Sequence, residues 1–173
     1  PRAEGRALAQ LGVVLGALDE LPGHAVPHAD GVRRLVGIDI VGIEADDIWV
    51  AGMRGFLAHW DGSSWSPMRL GASNGALPDI MSLWAGDGEV WATGTVNIDS
   101  QLSEGPGVAF RLRGQWERVL ERRGTIEGVW GWNRNDVIVG GGAPRVEGWA
   151  PRLQRLDGAT WMDVSAPWVG RIS

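Results

Sequence analysis

One pattern of residues recurs three times in this chain and restricts its fold more than any other feature. Each copy has an apolar run that ends in Gly, a second apolar run, a tight turn, and a Trp that opens a further run. In the first clear copy the runs are residues 48–52 and 56–60, and Asp61-Gly62 forms the turn before Trp65. Repetition at roughly 40–50 residues indicates a propeller or a similar repeat array.

The period comes from positions that match between copies. Gly16, Gly52, Gly94 and Gly141 are 36, 42 and 47 residues apart, and Trp65, Trp116 and Trp161 are 51 and 45 residues apart. A unit of about 45 residues with four short strands has the size of a propeller blade. An antiparallel sandwich or barrel would also have short strands, but it does not require Trp and Gly to recur in phase. We therefore expect an all-β propeller of four-stranded antiparallel blades.

The apolar runs also predict where the strands lie. An Asp-Gly pair between two such runs favours a hairpin, because Gly adopts positive φ without steric cost. Each set of three predicted strands is followed by a fourth that opens at Trp65, Trp116 or Trp161. The three sets cover residues 38–43, 48–52 and 56–60, then 80–86, 89–94 and 108–112, then 126–131, 136–141 and 152–156.

We expect one propeller domain or propeller fragment over residues 1–173, with about four blades. The repeats are approximately 7–34, 35–78, 79–125 and 126–165, and the first is degenerate. The apolar pattern of residues 7–18 is typical of either a short helix or inner strands. The strands are favoured because His28-Ala29-Asp30-Gly31 resembles His59-Trp60-Asp61-Gly62. Residues 166–173 either start another inner strand or close the ring.

The number of blades leaves three alternatives open. Four blades is the lower limit for a closed ring, and an open array would expose strand edges. The chain is therefore a small four-bladed ring, a fragment of a larger ring, or half of a ring that a second copy completes. Because it begins at Pro1 without Met, we expect a processed protein or a piece of a larger one.

The charge balance argues against a nucleic-acid partner. The 21 acidic residues outnumber the 16 basic ones and give a net charge of −5, whereas nucleic-acid-binding domains carry a basic face. No apolar run approaches the roughly 18 residues of a membrane span. The absence of Cys excludes disulfides and leaves the redox compartment open. All basic residues are Arg, which indicates a GC-rich, bacterial genome.

The repeat over residues 35–165 resembles the Trp-rich propeller repeats of many bacterial extracellular proteins. It is similar, more loosely, to tectonin-like propeller lectins and to the Asp-box repeats of sialidase-like propellers. Residues 61–65 and 157–161 are each one residue shorter than an Asp box. The resemblance implies a propeller and favours a secreted or cell-envelope location in a bacterium. Fold alone does not settle function.

Trp is the main large aromatic residue, with eleven copies beside two Phe and no Tyr. The in-phase Trp residues are either sugar-stacking platforms, as in propeller lectins, or side chains wedged between blades, each burying roughly 150–250 Å². Their recurrence at matching strand positions favours the structural role. These residues are Trp49, Trp65, Trp91, Trp116 and Trp161.

Inserted segments between second and third strands indicate where a ligand would bind. The first clear repeat has only residues 53–55 there, whereas the later repeats have residues 95–107 and 142–150. Binding residues concentrate on loops held by a rigid scaffold, and repeat proteins often carry insertions on the binding face. Trp149 is the strongest aromatic candidate, and a solvated loop residue is the alternative for each position. The candidates are Arg54, Asn97, Asp99, Arg145, Glu147 and Trp149.

No pattern anchors catalysis or metal binding. The chain lacks a Cys nucleophile, the Tyr that sialidase chemistry needs, and the G-x-S-x-G and H-E-x-x-H patterns. Acidic pairs would suit a glycosidase, but no spacing selects one pair. His24 and His28 are an unfavourable metal pair, because Pro27 prevents a helix from placing them on one face. We predict no catalytic residue, no metal and no cofactor.

We therefore predict a non-enzymatic propeller binding module with a protein or glycan ligand on its loop-rich face. The protein partner is favoured because the phased Trp residues are better explained as core. The alternatives are a carbohydrate-binding lectin, a self-assembling homo-oligomer that completes the ring, and a hydrolase fragment whose catalytic blade lies outside these residues.

Overall fold

The computed structural model describes residues 26–27, 33–34, 37–96, 105–145 and 148–164, with side chains over 39–96, 105–144 and 150–164. The fourteen strands in these ranges form three four-stranded antiparallel sheets and one two-stranded sheet. In each four-stranded sheet, the strands follow one another in chain order. This meander is a propeller blade, and the predicted all-β propeller is confirmed.

The strands are grouped into four sheets along the chain. Blade 1 is represented by β1 (Val26–Pro27) and β2 (Arg33–Arg34). Blade 2 consists of β3 (Gly37–Glu44), β4 (Asp47–Gly52), β5 (Phe56–Trp60) and β6 (Trp65–Arg69). Blade 3 consists of β7 (Asp79–Gly86), β8 (Glu89–Thr95), β9 (Pro106–Arg113) and β10 (Gln115–Arg123). Blade 4 consists of β11 (Gly128–Asn133), β12 (Asp136–Arg145), β13 (Gly148–Asp157) and β14 (Thr160–Asp163).

Residues 7–18 and 166–173, on which the sequence left alternatives open, lie outside the described residues.

The Asp-Gly turns join third and fourth strands, as their sequence predicts. Gly62 and Gly158 have φ of 89° and 65°, a region that side chains with a Cβ rarely adopt. In blade 2, Asp61 Oδ1 accepts hydrogen bonds from the backbone N–H groups of Ser63 and Ser64, both at 2.8 Å. The pKa of Asp61 is held well below its ordinary value, most strongly by a hydrogen bond from the Ser63 hydroxyl and then by these backbone N–H groups.

The prediction of an inserted loop over residues 142–150 is wrong for most of that segment. β12 and β13 continue through it, with Gly142 opposite Pro151 and Pro144 opposite Trp149. The Gly- and Pro-rich composition favours a loop, but two long arms in continuous register satisfy their backbone groups by pairing. The first strand of blade 4 likewise begins at Gly128, two residues later than predicted.

The recurring Gly at the end of each second strand marks a close backbone approach. A Cβ on Gly94 would lie 2.1 Å from the carbonyl oxygen of Asp79, and one on Gly141 would lie 2.2 Å from that of Thr125. In both blades the nearby oxygen belongs to the segment that enters the first strand. No side chain fits in this space, which gives a physical reason for the Gly period.

Apolar side chains fill the interfaces between successive blades. Between blades 2 and 3, Trp49 and Leu57 pack with Ile80 and Phe110. Between blades 3 and 4, residues from both sheets pack around Trp91, which is fully buried.

One aromatic contact repeats at both interfaces. The Trp116 ring meets the Trp49 ring edge-on with centroids 5.5 Å apart, and Trp161 meets Trp91 at 6.1 Å. Edge-to-face pairs of this kind are favourable beyond the area that they bury. Four in-phase Trp residues therefore join one blade to the next.

Polar bonds also repeat between the inner strands of adjacent blades. Asp39 Oδ2 accepts a hydrogen bond from the Leu83 N–H at 2.7 Å. One blade later, Ser82 Oγ accepts the Val129 N–H at 3.5 Å. The inner strands β3, β7 and β11 thus stand side by side, as the innermost strands of a propeller do.

Candidate functional site

The loop face is the end of the propeller at which second strands give way to third strands. It comprises the turn 53–55, the connections 70–78 and 124–127 between blades, and the adjoining ends of β6, β9, β10, β12 and β13. This is the face on which the sequence predicts ligand binding.

Arg54 lies on this face in the turn of blade 2. Its φ is 56°, and the turn is fixed from both sides. Its N–H donates to Asp79 Oδ1 at 2.9 Å, and its carbonyl oxygen accepts from Arg69 Nη1 at 2.7 Å. The residue itself is exposed, so its guanidinium lies on a turn that is anchored to blade 3.

The other predicted residues belong to blades 3 and 4. Arg145 and Trp149 lie at the tip of the β12–β13 hairpin, where Arg145 pairs with Gly148. The hairpin brings these two residues together, whereas Arg54 lies two blades away. Asn97, Asp99 and Glu147 lie outside the described residues.

A polar clamp ties the connection between blades 2 and 3 to the loop face. Ser73 donates its hydroxyl to Glu121 Oε1 at 2.7 Å and its N–H to Oε2 at 3.0 Å. Arg118 Nε lies 3.0 Å from the same Oε2 and donates Nη1 to the Gly71 carbonyl at 3.4 Å. The Ser73 hydroxyl is the main cause that lowers the pKa of Glu121, followed by the Ser73 N–H and the charge of Arg118.

Arg122 is the residue on this face that sequence reasoning missed. It lies near the end of β10, opposite Gly107, and only 9% of it is exposed. Nη1 donates to the Gly142 carbonyl of blade 4 at 3.5 Å. Nε and Nη2 are buried and have no hydrogen-bond partner in the part of the chain that the structure describes.

Two charged side chains of blade 4, Arg152 and Asp163, act on Arg122. Burial lowers the pKa of its guanidinium, the nearby Arg152 lowers it further, and Asp163 raises it. Arg152 already donates Nε and Nη2 to Asp163 at 3.0 and 2.9 Å. Arg155 donates the same two atoms to Asp136, both at 2.7 Å. The Nε/Nη2 edge is thus the edge with which both Arg152 and Arg155 bind a carboxylate in blade 4.

A sequence signal for Arg122 is weak. Arg122-Arg123 at the end of a strand is typical of exposed residues, and strand alternation does not show which of the two is covered. Burial of Arg122 comes from the approach of blade 4. A Cβ on Gly124 would lie 2.2 Å from the Gly142 carbonyl oxygen, the oxygen that also accepts from Arg122.

A second exposed surface lies on blade 4, on the side away from blade 3. This surface, the outer face of blade 4, consists of Trp130, Trp132, Ile138, Leu153 and Met162. Trp130 is 51% and Trp132 60% exposed, and their rings meet edge-on at 4.2 Å. The guanidinium of Arg155 lies over the Trp132 ring at 5.8 Å. Sequence reasoning missed this pair, although Trp-Gly-Trp spacing on a strand places both rings on one face.

The described residues contain neither a helix that could span a membrane nor a metal-binding cluster. None of their helices is long and apolar enough to cross a membrane. Their His, Asp and Glu side chains form no group of three or more that would hold a metal ion.

No known protein family and no curated protein matches the sequence. Among solved structures, the chain is similar to YCF48 bound to a D1 peptide, with a TM-score of 0.50 and 17% identity. The match covers 83% of this chain and 46% of the YCF48 chain, so the chain spans less than half the length of that protein. At this identity the likeness shows the propeller fold. The finer resemblance to tectonin-like and Asp-box propellers stays a prediction.

Proposed function

We propose that this chain is a non-enzymatic propeller module that binds a protein segment on its loop face. The observation that carries the proposal is the set of Arg side chains on that face, in a protein whose net charge is −5. Arg is enriched at binding hot spots and binds carboxylates in a bidentate fashion. The described members of the set are Arg54, Arg69, Arg118, Arg122, Arg123 and Arg152.

Two further observations support a protein ligand. The loop face is held in place by contacts between blades, including Arg54 N–H to Asp79 and Ser73 to Glu121, so little ordering is needed on binding. The similar solved structure, YCF48, is bound to a D1 peptide. That likeness supports the class of ligand and not its sequence.

Selection from a random peptide display library tests the proposal. We expect the selected peptides to bind saturably in calorimetry. Their affinity should fall about tenfold in Arg54→Ala, as for an interface residue that contributes moderately to the binding energy. Arg134→Ala is the matched control, because Arg134 is exposed in the turn between β11 and β12, away from the loop face. Failure to select any saturable peptide would overturn the proposal. Sugar-competable binding on a glycan array, without peptide binding, would establish the lectin alternative instead.

Self-assembly is a second candidate function, and the outer face of blade 4 favours it. In blade 3, Trp84 packs against Gly131 of blade 4, where a Cβ would lie 2.9 Å from the indole ring. Trp130 occupies the same repeat position as Trp84, since both face the second strand in register. Gly42 is the equivalent of Gly131 in blade 2. Among the described residues, a Cβ there would meet only Ile48 at 3.9 Å, and the nearby Ile40 is 43% exposed.

The occupant that we propose for this face is the inner strand of blade 2 from a second copy. Light scattering at micromolar concentration is expected to give a dimer that Trp130→Glu converts to a monomer. A matched change on the other side of the protein, Ser66→Glu on β6, should leave the dimer intact. A strict monomer in the unmodified chain would reject self-assembly.

A further inference from the structure

Among the residues that the structure describes, Arg122 has two buried donors without an acceptor. A guanidinium that is removed from water and left without its hydrogen bonds costs several kcal/mol on the general scale of buried charges. A folded protein retains such a destabilising feature when the feature serves another purpose, and ligand binding is a common one. The question is therefore which group completes the bonds of Nε and Nη2.

The acceptors around Arg122 that the structure describes are already in use. Asp163 is held by both donors of Arg152. Glu121 is held by Ser73 and Arg118, which lie toward blade 2. The Gly142 carbonyl takes Nη1 of Arg122 and also accepts the Thr125 N–H at 2.9 Å.

The geometry of the unpaired Nε/Nη2 edge indicates which chemical group would complete its hydrogen bonds. Nε and Nη2 form two parallel donors in one plane, and a carboxylate offers two matching oxygen atoms. Arg152 and Arg155 make this bidentate bond with Asp163 and Asp136 in the same blade pair. Because Arg152 is paired with Asp163, the positive charge of Arg122 itself attracts an anion.

We propose that the Nε/Nη2 edge of Arg122 is a binding site for a carboxylate of the ligand on the loop face. The carboxylate is an Asp or Glu side chain or the C-terminal carboxylate of the bound segment. This inference rests on the proposed function, because it names the group by which the protein segment is recognised.

The surroundings of Arg122 fix the direction of the donors. Gly142 N–H donates to Thr125 Oγ1 at 2.8 Å, which holds the carbonyl that anchors Nη1. Gly124 has a φ of 98° and approaches the same carbonyl too closely for a side chain. Because Nε and Nη2 are out of contact with solvent, a carboxylate reaches them only when neighbouring side chains move apart.

The first test uses acetate as the probe and the unmodified protein. In a ¹⁵N-labelled sample, the Nε–H resonance of Arg122 is assigned by its loss in Arg122→Lys. Titration with sodium acetate is expected to shift this resonance saturably, and sodium chloride at the same ionic strength is not. Absence of an acetate-specific shift would overturn the inference.

The second test separates a binding role from a structural one. Arg122→Met removes the unpaired cation and keeps the length of the side chain, so the free energy of unfolding without ligand should stay unchanged or rise. Acetate should raise the Tm of the unmodified protein and of Arg134→Met, a control with the same change of charge, but not that of Arg122→Met.

Strong destabilisation of Arg122→Met would instead indicate a carboxylate of the chain itself. Asp99→Asn and Glu104→Gln would identify this carboxylate. Coupling of either change to Arg122→Met in a double-mutant cycle would overturn the inference.

Peptides from the display selection connect the site to its ligand and identify the source of the carboxylate. Arg122→Met should weaken their binding about tenfold or more. Asp or Glu changed to Asn or Gln tests the side chains, and C-terminal amidation tests the terminus. If peptides bind independently of Arg122, the inference fails and the proposed function stands. If no peptide binds but acetate still shifts the resonance, the proposed function fails and the carboxylate site stands.

Discussion

Trp84 and Trp130 occupy the same repeat position in blades 3 and 4, but their surroundings differ. In blade 3, Trp84 packs into the core around Trp91, against Gly131 of the following blade. In blade 4, the equivalent Trp130 is half exposed beside Trp132. The two sheets have the same strand order and the same meander, so the difference comes from what lies next to each sheet.

This comparison shows how far a repeat determines the role of a residue. Phase within the repeat determines which side of the blade a Trp faces, because side chains alternate along a strand. It does not determine whether another sheet covers that side. The same indole is therefore core in one blade and a surface in the next, and substitutions of a buried and an exposed Trp measure the difference.

The largest effect is expected for Trp91→Ala. This side chain is fully buried between blades 3 and 4, and truncation of a buried Trp costs about 3–5 kcal/mol of unfolding free energy. Trp130→Ala, measured in the same urea titrations, should cost less than about 1 kcal/mol, because half of the side chain is already in water. Equal losses for the two variants would mean that the outer face of blade 4 is covered in solution.

The second effect concerns the space that receives each Trp. Gly131→Ala places a Cβ 2.9 Å from the Trp84 ring, so the ring or the strand must shift at a cost of about 1–3 kcal/mol. Gly42→Ala is the matched control in blade 2, where the nearest atom of the described residues lies 3.9 Å away. We expect this control to be neutral or slightly stabilising, since Ala is less costly than Gly in a strand. A neutral Gly131→Ala would show that Trp84 does not need this space.

The sequence predicts more of the fold than of the binding surface. The strand Phe56–Trp60 has the predicted bounds, because alternation, the Asp-Gly turn and the Gly period all agree there. The hairpin arms through residues 142–150 were not predictable from composition, since Gly and Pro favour loops while pairing in register favours strands. Local preference was outweighed by backbone hydrogen bonding over ten paired positions.

The missed surface residues have a common cause. Burial of Arg122 depends on the approach of Gly142 from another blade. Exposure of Trp130 depends on whether another sheet covers the side of blade 4 that faces away from blade 3. Both are properties of neighbours that are distant in sequence. Of the six predicted site residues, the structure gives a side-chain environment for Arg54 alone, so the predicted site stays a prediction.

The third effect is the coupling between paired Trp rings at the two interfaces. Double-mutant cycles to Ala, for Trp91 with Trp161 and for Trp49 with Trp116, should each give about 0.5–1.5 kcal/mol, the range for edge-to-face pairs. The ring separations, 6.1 and 5.5 Å, favour the slightly larger value for the second pair. Coupling at one interface only would show that the two blade contacts are not equivalent, despite their matching positions.

The smallest effect is expected at the polar clamp between blades 2 and 3. The Ser73 hydroxyl lowers the pKa of Glu121 below its ordinary value of 4.5. Because the pKa is lower in the folded state, the bond stabilises the fold above about pH 4.5, and this stabilisation is lost as the pH falls through the folded value. Ser73→Ala should therefore cost about 1 kcal/mol or less near neutral pH, since both partners lie at the surface.

The difference between the unmodified protein and Ser73→Ala should shrink when urea titrations are repeated at a pH low enough for Glu121 to bind a proton in both the folded and the unfolded state. Ser66→Ala on β6 is the control, because Ser66 is exposed on the same blade, and its small effect should not change with pH. A cost for Ser73→Ala that is equal at both pH values would mean that the hydroxyl acts through packing and not through the Glu121 charge. The clamp would then act in the same way as the apolar contacts of the blade interfaces.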